Sequence, residues 1–191
     1  AGAMAVQLGL WFWAGFSKLN HHFPAVVSVM TSNSPFTRFE WLRKRMYRQY
    51  PDDLRPSWMA SAMAKTGTFT EYMIPLVLLS SESALITALA LFVMCVFHGF
   101  IAANNPSGMP IEWNILMVYG GIFLFGFHPE ASILALGAMP LLVLFLFVFL
   151  FVIPCFGNFV PSQVSFLMSM RYYAGNWAYN IWLFRDDSTE K

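Results

Sequence analysis

Five ionisable side chains stand in or beside strongly apolar stretches of the chain: Lys18, Glu71, His98, Glu112 and Arg171. Holding a charge in hydrocarbon costs at least about 2.5 kcal/mol, so each needs a return in packing or in function. Lys18 closes the run LWFWAGFSKLNHHF and has two readings. At the end of a span its ammonium snorkels toward the headgroups. An amine stripped of part of its water also gives up its proton more readily and serves as a base. Glu71 falls within an apolar segment, where a carboxylate is either protonated or paired; Lys18 and Arg171 are the cations on offer. His98 has Cys95 three residues before it on the same helical face, a weak metal signal by itself, and a hydrogen bond to a neighbouring helix is the alternative. Lys18, Glu71 and His98 are therefore the candidate catalytic residues, and Glu112, Arg171 and Asn104 the candidate ligand-binding ones. No metal site is expected, because His21, His22, His98 and His128 are too scattered to gather one. The chain has no G-x-S-x-G, no H-E-x-x-H and no glycine-rich phosphate loop, which leaves hydrolase and zincin chemistry unsupported.

These residues need elements to hold them, and composition names the class. Of 191 residues, 58% are hydrophobic and 11% charged, against about 25% charged in a soluble domain. The expectation is an all-α, polytopic integral membrane bundle of about five or six spans plus an amphipathic surface helix. A net charge of +1, with the basic residues in one cluster, excludes nucleic acid as a partner. Residues 1–191 read as a single transmembrane domain. The chain starts inside an apolar stretch without a basic lead-in, and is expected to be part of a longer protein. Cys95 and Cys155 read as small buried hydrophobes.

The uncharged run Ala131 to Ile153 is long enough to cross the ~30 Å hydrocarbon layer, with a kink expected at Pro140. Ser83 to Ala103 is a second span, stopped by Asn104-Asn105-Pro106. Trp113 to Phe127 forms a shorter one, turned into its successor by His128-Pro129-Glu130. Thr68 to Ser81 becomes a span if the run from Trp58 extends it, and Ala1 to Ser17 is the end of a first span. Ser162 to Phe184 mixes aromatic rings with Arg171, Asn176 and Asn180, and suits either an interfacial helix or a polar-lined span.

Residues 20–67 form a charged membrane-surface connection. Its stretch FTRFEWLRKRMYRQY puts Phe36, Phe39 or Glu40, Arg43 and Tyr47 at helical spacing, and its arginines are placed to meet lipid phosphates or a docking partner. By the positive-inside rule this loop lies in the cytoplasm.

Three pieces in order, WFWAGFSKLN, TGTFTEYMIPLVLL and FHGF followed by PIEWNILMVYG, resemble the horizontally arranged transmembrane (HTTM) domain of vitamin K-dependent gamma-carboxylase. More narrowly, the whole chain, including MRYYAGNWAYNIWLF, resembles the bacterial membrane family of domain of unknown function 3556. The carboxylase resemblance implies a base at Lys18, with Glu71, Pro75 and His98 lining one cavity. It also implies an active site on the face away from the cytoplasm, opposite to the loop charge. A propeptide-binding soluble domain has no counterpart in this chain, and nothing in the sequence specifies vitamin K or a glutamate substrate.

The expected function is a polar site inside a bacterial cytoplasmic membrane for a lipid-like or quinone-like molecule, with Lys18 as base or anion clamp and its cofactor unspecified. The alternative is a non-catalytic subunit whose aromatic-rich helices pack against other transmembrane subunits.

Overall fold

The computed structural model describes residues 1–34, 38–103, 111–128, 133–160 and 163. The described part is mostly helical. Helix α1 (Gly2–Ser17) runs into α2 (Phe23–Asn33), and a short α3 (Glu40–Arg45) precedes an antiparallel ribbon of β1 (Tyr47–Gln49) and β2 (Asp53–Pro56). Two long helices follow, α4 (Trp58–Ser80) and α5 (Ala84–Ala103). Then come α6 (Ile111–Gly121), prolonged by a π turn over Ile122–Gly126, and a 3-10 segment at Ile133–Ala138. The last helix is built from α7 (Pro140–Phe147), a π turn at Val148–Val152 and α8 (Ile153–Phe159).

Among the described residues, two helices are long and apolar enough to cross a membrane, Ala84–Ala103 and Pro140–Phe159. The expectation of five or six such spans is not met: α4 is 23 residues long but carries Lys65 and Glu71, and the apolar stretches Phe23–Ser32 and Trp113–Gly126 are short. The chain is also not purely α, because the polar run after Met46 pairs into the ribbon. The surface helix accordingly stops at Arg45, after six residues, and Tyr47 leaves the helical pattern for a strand. Residues 20–67 thus form α2, α3, the ribbon and the first turns of α4, whose start at Trp58 is capped by the Ser57 hydroxyl accepting the Ala60 N–H at 3.1 Å.

The last span is shifted relative to the apolar run that announced it. Pro140 opens the helix instead of kinking it, since its missing N–H costs nothing in the first turn. The helix then continues past Ile153 to Phe159. Pro154 sits inside this helix, where it withholds the amide that would bond the Leu150 carbonyl. The Trp13 indole N–H supplies the bond instead, at 2.7 Å, and so ties the helix to α1. Cys95 and Cys155 are free and half-buried, less enclosed than expected.

The core lies where α1 meets α4, α5 and α6. Met4, Leu8, Trp11, Ile74, Leu78, Met94 and Met117 are buried there together. The inward stripe of α4 is Ala60, Ala64, Thr68, Glu71, Pro75 and Leu78, at steps of three and four. Two glycines set the helix spacing. A Cβ on Gly15 would stand 3.2 Å from the Glu71 Cβ, and one on Gly121 only 2.8 Å from the Met94 sulfur and 3.0 Å from the Trp11 ring. Small residues at these points let the backbones approach, which is how helices hold together where lipid removes the hydrophobic drive.

Candidate functional site

The inward face of α1 carries Gln7, Trp11, Gly15 and, one residue past the helix, Lys18. The spacing of four, four and three keeps all of them on one side. Asn20 fixes the exit. Its amide nitrogen donates to the Ser17 carbonyl at 2.8 Å, and its oxygen accepts the His22 and Phe23 N–H groups at 2.8 and 2.9 Å. The lysine is thereby held between the end of one helix and the start of the next, while His21 and His22 face outward.

Lys18 and Glu71 meet. The ammonium lies 2.7 Å from Oε1 and 2.6 Å from Oε2, and also donates to the Ala14 carbonyl at 3.0 Å. The glutamate side chain is 3% exposed and the lysine side chain 15%. Oε2 is held by the ion pair and has no other partner among the described residues. The ammonium has three donors and three oxygens within 3.0 Å of it, the two carboxylate oxygens of Glu71 and the Ala14 carbonyl. The Phe23 ring lies 5.8 Å from it. Pro75, four residues beyond Glu71, removes the amide that would otherwise bond the Glu71 backbone carbonyl. The Glu-x-x-x-Pro spacing therefore loosens the helix ladder at the level of the ion pair.

His98 belongs to a second polar group. Its Nε2 is 3.0 Å from the Trp11 indole nitrogen and its Nδ1 is 2.9 Å from Asn114 Oδ1. An indole N–H only donates, so Nε2 must accept; the ring proton then sits on Nδ1 and is donated to Asn114. All three side chains are buried. Gln7, one turn before Trp11, donates to the Met117 carbonyl at 3.3 Å and fastens α1 to α6. Trp11 and Lys18 are seven positions apart, about 10 Å along the helix axis, so the imidazole and the ion pair are neighbouring polar centres on one α1 face.

A groove of about 480 Å³ opens beside the imidazole, between α5 and α6, lined by Cys95, His98, Asn114, Tyr119, Phe123 and Phe127 among others. Its walls are apolar and aromatic, and His98 and Asn114 supply polar groups in its depth.

Of the six residues expected at the site, Lys18 and Glu71 are in contact and His98 is one helix face away. Glu112 falls in the first turn of α6. Asn104 and Arg171 lie outside the described residues, as do the Ser162 to Phe184 stretch apart from Gln163 and the Pro129-Glu130 part of the expected hairpin link. Trp11, Asn114 and Gln7 were not anticipated. Their signal was available: a glutamine and an asparagine inside apolar helices need partners, and Trp11 stands seven residues before Lys18, on the same side of α1.

No curated protein and no solved structure matches this chain. The family of transmembrane proteins of unknown function (DUF3556) matches it over residues 1–191, and the chain, an integral membrane protein of helical build, belongs to that family.

Proposed function

We propose that this protein holds a lipid-like or quinone-like molecule within a bacterial cytoplasmic membrane and acts on it through Lys18. The observation that carries the reading is the α5–α6 groove, an apolar trough with His98 and Asn114 in its depth. Such a shape suits a long apolar molecule with one hydrogen-bonding end. Trp11 and Asn114 engage both imidazole nitrogens, so the polar end of the ligand meets a rigid, preset polar surface. Lys18, one centre away, clamps an anionic head by trading part of its pairing with Glu71 for it. Alternatively, it hands its proton to Glu71 and takes another from a bound acid. The resemblance of the Lys18, Glu71 and His98 segments to the HTTM domain of the carboxylase supports the same assignment of roles.

The test is extraction of the purified protein followed by mass spectrometry of what it carries. A quinone or lipid that accompanies the wild type, persists in Leu85→Trp on another exposed surface and is lost from Ile115→Trp in the groove supports the reading. A wild type that carries neither molecule, in a preparation that is folded by circular dichroism, ends it.

A second reading, a non-catalytic transmembrane subunit, is favoured by the helix from Pro140 to Phe159, whose one buried residue is Gly157. Under it, substitutions on this helix release partner chains, and no small molecule is retained.

A further inference from the structure

A second cavity, of about 520 Å³, lies away from the groove, where the ribbon and the end of α3 face the start of α4. It is lined by Lys44, Arg45, Arg48, Tyr47, Tyr50 and Trp58 among others. Three cations and three aromatic rings around one cavity form a combination with a definite chemical preference. Guanidinium groups match the oxygens of a phosphate, and Tyr and Trp rings sit at headgroup depth.

The cavity is built rather than incidental. Met46, fully buried, is pinned beneath it: its carbonyl accepts both the Ser28 hydroxyl and the Ser57 N–H at 3.0 Å. Tyr47 is fixed by a 2.7 Å hydrogen bond between its hydroxyl and that of Ser32. The walls therefore stand in place before anything binds.

Two of its three cations are also uncompensated. Glu40 is committed to Lys44 at 2.8 Å and Asp53 to Arg55 at 2.7 Å. Arg45 lies over the Trp41 ring at 5.9 Å, and Arg48 is near enough to Asp53 to help depress its carboxyl, after the Arg55 hydrogen bonds. Neither guanidinium has a carboxylate within ion-pair distance among the described residues. The first turn of α4, at the cavity edge, holds no acid, so its positive end adds to the field.

We infer that this cavity is a binding site for a phosphate group, seated between Arg45 and Arg48 with Tyr47, Tyr50 and Trp58 around it. The exposed Trp58, Tyr50 and Trp41 on the same side make the headgroup of an anionic phospholipid the natural source. Free phosphate shares the chemistry and is the other source to be distinguished. The site is independent of the groove and of Lys18.

The experiment reconstitutes the full chain in membranes and measures, with spin-labelled phosphatidylglycerol and phosphatidylcholine, the preference of protein-bound lipid for the anionic species. The wild type prefers phosphatidylglycerol. The preference falls about fivefold for each arginine removed in Arg45→Gln and Arg48→Gln, and survives in Arg38→Gln/Arg43→Gln, which removes equal charge outside the cavity. Inorganic phosphate is titrated in parallel by calorimetry on the same proteins. Binding of inorganic phosphate without lipid selection, lost in the Arg45/Arg48 pair, assigns the site to soluble phosphate. Equal losses in both arginine pairs, or no response of either probe to Arg45→Gln/Arg48→Gln, overturn it.

Discussion

The ammonium of Lys18 sits against both carboxylate oxygens of Glu71, joining residues 53 positions apart through the close approach that Gly15 permits. Breaking a buried pair by removing one partner strands the other charge, at a cost of about 3–5 kcal/mol, whereas replacing both with apolar groups is often neutral. Lys18→Met is therefore expected to lower stability by about 3 kcal/mol, near the lower end because the lysine retains some exposure, and Lys18→Met/Glu71→Leu to recover most of it. Thermal unfolding in detergent of the two singles and the double checks this. A double variant as unstable as the sum of its singles would show that the two side chains do not act as a pair.

Trp11 fixes the histidine. Nitrogen NMR of labelled imidazole is expected to find His98 protonated on Nδ1, with Nε2 bare as the acceptor of the indole bond. Trp11→Phe keeps the ring and removes the donor, leaving a buried acceptor unmet at a cost of about 1–3 kcal/mol. Detection of the opposite tautomer would remove the Trp11–His98–Asn114 chain from the site.

Trp13 and Pro154 are coupled through Leu150. Trp13→Phe is expected to cost about 1 kcal/mol in the wild type. Its cost shrinks in a Pro154→Ala background, where the new amide at 154 can bond the Leu150 carbonyl within the helix. A double-mutant cycle on unfolding midpoints reads the difference, and an unchanged cost in both backgrounds refutes the substitution of one donor for the other.

The ribbon carries an acid-sensitive contact. The Arg55 guanidinium and backbone N–H bonded to Asp53 hold its carboxyl at about 2, below the ordinary 3.8. A carboxylate with a depressed folded value contributes its full stabilisation above 3.8 and loses it as the pH falls toward about 2. The ribbon is thus indifferent to mild acid and loosens only below pH 3.8. NMR titration of Asp53 checks the value, and Arg55→Gln is expected to return it toward 3.8.

The sequence alone was enough to determine the membrane-helix class and the presence of α1, α4, α5 and α6, and it singled out Lys18, Glu71 and His98 as ionisable side chains in need of partners. Each of these follows from local quantities: apolar length, helical spacing, and the cost of a charge in hydrocarbon. Only the tertiary structure decided that Lys18 takes Glu71, that His98 takes Trp11 and Asn114, that the last helix starts at Pro140, and that the basic stretch breaks after Arg45 to wall a cavity. Those outcomes depend on which helices cross and how closely. Crossing is set by contacts such as Gly15 on Glu71 and Gly121 on Met94, between positions far apart in the chain. Periodicity shows which face a residue occupies; what stands across from that face is a property of the packed molecule.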